Sequence, residues 1–151
     1  MKQARIGTLV ALSLAFLTGA AGAAETMSVF KTSGCGCCLG WIKAMENAGY
    51  RVEARNVAMG DLMQMKLKAG FKVEHASCHT TRIGPYVLEG HVPAREIERL
   101  LAERPDAVGL AVPGMPLGSP GMDFGKDRNA FDVLLLRRDG TTEAFARYPA
   151  S

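Results

Sequence analysis

The sequence predicts a small α/β domain whose elements run β-α-β-α-β-β-α, extended by a long Pro/Gly/Met loop and a C-terminal β-hairpin. Three observations carry this expectation. Short alternating runs give way to runs with apolar residues every three or four positions, and the two kinds interleave from the start. Gly and Pro fall between the runs rather than inside them. About 125 to 130 residues remain once the N-terminal stretch is set aside, which suits one compact domain with its own core.

Each element has a local reason. Met27–Lys31 alternates as a short strand does, and Thr32-Ser33-Gly34 supplies a turn with helix-capping side chains. Leu39, Ile42, Met45 and Ala48 then recur at helical spacing until Gly49 ends the run. Arg51–Val57 alternates as a second strand. Asp61 is placed to cap a second helix with Leu62, Met65 and Leu67 on its stripe, Met65 facing the core beside Leu62, and Gly70 as its stop. Thr80–Ile83 and Tyr86–Glu89 flank Gly84-Pro85 as a hairpin. Pro93 suits the first turn of a third helix, which buries Ile97, Leu100 and Leu101 and stops at Pro105. Residues 105–129 read as one long loop, with Pro-Gly-Met at 113–115 and again at 120–122; loops of that length usually carry function or lack order. Phe131–Leu136 and Thr142–Tyr148 around Asp139-Gly140 form the closing hairpin, which extends or covers the edge of the sheet. The order β-α-β-α-β-β-α is that of the thioredoxin and glutaredoxin fold.

The first residues predict export. Lys2 and Arg5 precede an apolar run from Ile6 to Leu17 and then small residues ending in Ala21-Gly22-Ala23, the pattern of a cleavable signal peptide over residues 1–23. The domain then occupies 24–151. The apolar run is too short to span the roughly 30 Å of a bilayer core comfortably, and no later stretch is apolar enough, so no membrane insertion is expected after cleavage. The chain has 18 Lys+Arg and 15 Asp+Glu; without Lys2 and Arg5 the count is 16 against 15. A nearly neutral chain with no basic stripe excludes a nucleic-acid partner as the expectation.

All four cysteines follow the signal: Cys35, Cys37, Cys38 and Cys78. Two disulfides are formally available in three connectivities. Three of the four sit within four positions, however, where a bridge closes almost no loop and restrains the unfolded chain little. The cluster therefore reads as chemistry. It lies between the first strand and the first helix, where unpaired amides and the helix dipole favour thiolates. Cys35 and Cys38 have the spacing of a Cys-x-x-C redox pair, but a third adjacent thiol suits a soft metal better than a dithiol catalyst. Cys78 lies in Ala76-Ser77-Cys78-His79-Thr80, the segment that would face the cluster and that carries no proline. Candidate nitrogen and thioether donors are His79, His91, Met115 and Met122, with His75 a weaker one. Trp41 reads as packing.

Cys35-Gly36-Cys37-Cys38 with Leu39-Gly40-Trp41, Ala76-Ser77-Cys78-His79-Thr80, Glu89-Gly90-His91-Val92-Pro93 and the Pro-Gly-Met loop resemble the small periplasmic copper-resistance proteins of the CopG type. The resemblance runs from Met27 to Tyr148. It implies a thioredoxin-like fold and a copper site on Cys35, Cys37, Cys38 and Cys78, with thiolates bridging several ions and a role in their redox handling. Other periplasmic copper proteins are the implied partners.

Three functions compete at this point. The first is a periplasmic protein that binds copper(I), Cu(I), in copper resistance. The second is a periplasmic thiol–disulfide oxidoreductase in which Cys35 attacks and Cys38 resolves. The third is a zinc site of Cys35, Cys38, Cys78 and His79. Whether the chain is an enzyme stays open between them.

Overall fold

The computed structural model describes residues 25–151; the expected signal segment lies outside them. These residues form a mixed α/β domain with seven strands in one sheet and three α-helices. β1 (Thr26–Lys31), α1 (Gly36–Asn47), β2 (Arg51–Asn56), α2 (Met59–Lys68), β3 (His79–Ile83), β4 (Tyr86–Glu89), α3 (Ala94–Glu103), β5 (Ala107–Ala111), β6 (Phe131–Arg137) and β7 (Thr142–Tyr148) follow in that order, with a short 3₁₀ turn at Val73–His75. The strands lie in the order β2-β1-β3-β4-β5-β6-β7. β1 and β2 are parallel, as are β4 and β5, and the other neighbours are antiparallel.

Alternation along the strands divides the core between two faces. One face joins Met27 and Val29 of β1, Leu88 of β4, Leu110 of β5 and Val133 of β6 with Trp41, Ile42 and Met45 of α1 and Ile97 and Leu100 of α3. The opposite face carries a smaller group, Phe71, Ala111 and Leu136, with Ala69, Val87 and Val108 against it. Phe71 directly follows α2, so α2 and its exit cover that side. Each fully buried Leu, Ile or Met contributes about 1.5–3 kcal/mol of transfer free energy, so the first face dominates stability.

Several sequence expectations shift. The stripe of α1 is Cys38, Trp41, Ile42 and Met45, and Leu39 is 56% exposed, because the helix rotates the cysteine turn inward. α2 starts at Met59 with Ala58 as its uncapped N-cap, and Asp61 lies in its first turn instead of capping it. Met65 is only half-buried; Leu62 and Lys66 are the residues α2 buries, four apart on one face, and Leu67 is exposed. Pro93 caps α3 rather than occupying its first position, and α3 ends at Arg104 in a left-handed conformation.

The largest correction concerns residues 105–129, which are not all loop. Ala107–Ala111 is a central strand, parallel to β4 and antiparallel to β6. Its short apolar run is buried in the middle of the sheet and lacks the alternation that marks a half-buried strand. The C-terminal hairpin extends the sheet beyond it, and stacked Phe131 and Tyr148 rings with centroids 4.6 Å apart clamp its open end.

The antiparallel pairing puts the chemistry at one end of the sheet. The C-terminal end of β1, the start of β3 and the end of β4 meet there, with Lys31 opposite His79 and Thr80 opposite Glu89. The cysteine turn, the Cys78 connector, His91 and the Pro-Gly-Met loop all leave from that end.

Candidate metal centre

Cys35 is the N-cap of α1, and its sulfur accepts a hydrogen bond from the Cys38 amide at 3.3 Å. This cap turns the Cys35 and Cys38 side chains to the same side, with Cα atoms 5.3 Å apart, and the two are joined in a disulfide. A bridge at this spacing closes almost no loop and restrains the unfolded chain little. It is a local bridge spanning one turn, and Cys37 and Cys78 are left as free thiols.

The four cysteine sulfurs nevertheless converge: all lie within 4.8 Å of one another. Cys37 Sγ is 3.5 Å from Cys35 Sγ and 3.7 Å from Cys78 Sγ. Met115 adds its thioether sulfur 3.8 Å from Cys37 Sγ, at the solvent side, where Met115 is 51% exposed. Met122 does not join them. Its backbone closes the loop through bonds to Ser119 and Gly118, and no sulfur contact links it to the cluster among the described residues.

A second donor group shares Cys78. His79 Nδ1 is 3.2 Å and His91 Nε2 is 2.9 Å from Cys78 Sγ. His91 Nδ1 faces the Pro120 carbonyl at 2.7 Å; since a carbonyl only accepts, Nδ1 carries the proton and the Nε2 lone pair points at the sulfur. His79 is fully buried, its ring against Trp41 and edge-on to His91, and its Nε2 has no hydrogen-bond partner. Trp41 thus packs, as expected, while its indole N–H binds the Val92 carbonyl at 2.9 Å. His75 is held apart, its Nδ1 accepting from the Lys72 amide and its Nε2 near Glu74.

The electrostatics favour neutral donors in the metal-free protein. Burial, reinforced by the neighbouring Cys37, pushes the Cys78 thiol up to about 12. The expectation of ready thiolates from the helix terminus therefore does not extend to Cys78, which lies outside α1. Burial holds His79 well below the ordinary imidazole range, helped by His91 and Lys66, and burial also lowers His91 against the pull of Pro120. Both rings are neutral at pH 7 and available as ligands.

The Pro-Gly-Met loop is seated on α1 by one glycine. Gly121 has φ +82°, and a Cβ there would lie 2.4 Å from the Trp41 nitrogen and 2.6 Å from the Cys37 oxygen. That backbone-to-backbone approach brings Pro120 to His91. A buried set beneath the centre escaped the sequence reading: Lys66 of α2, Thr80 and Glu89. The available signal was Lys66 four residues after Leu62, on the face that α2 buries.

The donor chemistry fits a soft metal ion: clustered sulfurs with imidazole nitrogens behind them and a thioether in front. Zinc held by Cys35, Cys38, Cys78 and His79 would draw on both donor groups and leave Cys37 and Met115 unused. Among the described residues no helix is long and apolar enough to cross a membrane.

Comparison with known proteins agrees with this chemistry. A family model described as a protein of unknown function, DUF411, matches residues 75–122, which hold Cys78, His79, His91 and the Pro-Gly-Met loop. No curated protein matches the chain. Two solved structures of a copper resistance protein, CopG, are similar throughout. Form 2 is 42% identical with a TM-score of 0.78, covering 84% of this chain and 100% of its own. Form 1 is also 42% identical, with a TM-score of 0.79, covering 84% of this chain and 99% of its own. With that identity over their full length, the chain belongs to the CopG copper-resistance-protein family.

Proposed function

We propose that the protein binds copper(I) for copper resistance through Cys35, Cys37, Cys38 and Cys78 after the Cys35–Cys38 disulfide is reduced. The observation that carries this reading is the convergence of four sulfurs within 4.8 Å with Cys78 shared by a second, histidine-containing group. One sulfur facing two donor sets is suited to bridging two ions. His79 and His91 serve as nitrogen donors, and Met115 as an outer thioether donor next to Cys37. An external dithiol reduces the disulfide by thiol–disulfide exchange, leaving as its own disulfide and giving two cysteine thiols; copper(I) then displaces thiol protons. Thiolates stabilise copper(I) over copper(II), so the centre keeps the ion reduced. The proposal includes export through residues 1–23, a thioredoxin-like core, and other periplasmic copper proteins as donors or acceptors of the ion.

A second reading, a thiol–disulfide oxidoreductase, is favoured by the Cys35–Cys38 disulfide itself. Copper(I) titration of the reduced protein, with metal counted by elemental analysis and free thiols by a thiol reagent, separates the two. Uptake of more than one ion per chain, protecting all four cysteines and lost in Cys78→Ser, is the expected result. No copper uptake, with a disulfide that cycles equally well in Cys78→Ser, would establish the oxidoreductase.

A further inference from the structure

Below the sulfurs, on the α2 side of the sheet, lies an ion pair closed to solvent. Lys66 Nζ is 2.5 Å from Glu89 Oε1, with side chains 3% and 0% exposed. The Thr80 hydroxyl donates to Glu89 Oε2 at 2.7 Å and accepts from Lys66 at 3.1 Å. Glu89 Oε1 also accepts the Ser77 backbone N–H at 2.7 Å. Burying an ammonium and a carboxylate is costly, and apolar residues of similar volume often give equal or greater stability. Packing alone therefore does not call for this pair.

What a carboxylate does here, and an apolar side chain does not, is hold the amide of Ser77, the residue before Cys78. The backbone of the same segment leads directly to His91. Gly90 donates its N–H to the His79 carbonyl at 2.9 Å, and its φ of +74° lets it pass so close that a Cβ would lie 2.4 Å from the Ser77 side chain. From the other side the Gly114 N–H binds the Ala76 carbonyl at 3.0 Å, and the Ser77 hydroxyl binds the Gly114 carbonyl. Cys78 is thus held by a connector clamped on both sides, and the contact that results is its 2.9 Å approach to His91 Nε2.

We infer that Glu89 is a positioning residue for the metal centre: it aims Cys78 through the Ser77 amide, and Lys66 neutralises the buried carboxylate that does so, a role that lapses once that carboxylate is an amide. The purpose of this arrangement rests on the copper reading, but its geometry can be tested without copper. Lys66→Met with Glu89→Leu removes both charges and the acceptor for Ser77. Lys66→Met with Glu89→Gln removes both charges but keeps a side-chain oxygen for that amide. Folding is checked by circular dichroism and thermal melting. In the reduced, metal-free protein, alkylation of each cysteine is followed by mass spectrometry and exchange of the Ser77 amide by NMR.

The Leu variant is expected to speed both Ser77 exchange and Cys78 alkylation by about tenfold or more, as for loss of one buried hydrogen bond, while Cys37 alkylation stays unchanged. The Gln variant is expected to remain within about twofold of wild type in both. Copper(I)–thiolate absorption should shift only in the Leu variant. Wild-type Cys78 reactivity in a folded Leu variant overturns the inference. So does about tenfold faster Cys78 alkylation in the Gln variant with Ser77 still protected, a result that decides the matter even if the Leu variant fails to fold. Absence of copper uptake by the wild type would overturn the copper reading alone, because the thiol and amide measurements stand without metal.

Discussion

Replacing Gly121 with alanine tests how the Pro-Gly-Met loop is held against the first turn of α1. At φ +82° an L-residue with a Cβ costs about 1–2 kcal/mol. The added carbon would also lie 2.4 Å from the Trp41 nitrogen and 2.6 Å from the Cys37 oxygen. Both are main-chain atoms of a helix, so no side-chain rotation relieves the overlap, and overpacking adds about 1–3 kcal/mol. The expected loss for Gly121→Ala is about 2–5 kcal/mol, measured by equilibrium urea unfolding. Gly114→Ala is the control: its φ is +67°, but nothing lies within 4 Å of its Cβ, so only the backbone cost of about 1–2 kcal/mol applies. Equal destabilisation of the two variants, within about 0.5 kcal/mol, would refute the close-approach argument. Displacing the loop also withdraws the Pro120 carbonyl from His91 Nδ1, and loss of such an outer partner typically lowers metal affinity by about 10–100-fold. Gly121→Ala should show that loss in a copper(I) competition titration.

Other consequences can be checked directly. Because the Cys78 thiol is pushed up to about 12, it is protonated from pH 6 to 8; copper(I) must displace that proton, and apparent affinity should rise about tenfold per pH unit for each proton released. A copper competition titration that gives the same affinity at pH 6 and pH 8 would contradict this. His79 is buried neutral with a lowered pKa, whereas the unfolded chain binds a proton below about pH 6.5, so stability should fall as pH drops through that point, by up to about 1.4 kcal/mol per unit. Urea midpoints at pH 7 and pH 5 should show this component in the wild type and lack it in His79→Gln. Met115→Leu should weaken copper(I) binding while changing stability by less than about 0.5 kcal/mol, since the side chain is half-exposed. Met122→Leu should leave copper affinity unchanged, which a parallel titration checks.

The local order of the chain was legible because it is written in short-range patterns. The turn at Thr32-Ser33-Gly34, the Gly84-Pro85 hairpin and the Asp139-Gly140 turn each depend on a few adjacent residues and form as expected, although Cys35 takes the capping role expected of that first turn. α3 buries Ile97 and Leu100 as expected but Glu96 in place of Leu101. The four cysteines could be grouped because three lie within four positions and the fourth sits in the segment leading into a strand that pairs beside β1. Buried position carries no such local signature. Ala107–Ala111 became a strand only because β4 and β6 cover both its edges, and Leu39 gave way to Cys38 because tertiary packing set the rotation of α1. The burial of Lys66 depends on Glu89 and Thr80, 23 and 14 residues away, closing around its ammonium. The same holds for the candidate donors: the soft atoms are in the sequence, but only the fold brings Met115 rather than Met122 beside Cys37 and turns His91 toward Cys78, since both depend on where a loop lands on a helix formed some eighty residues earlier.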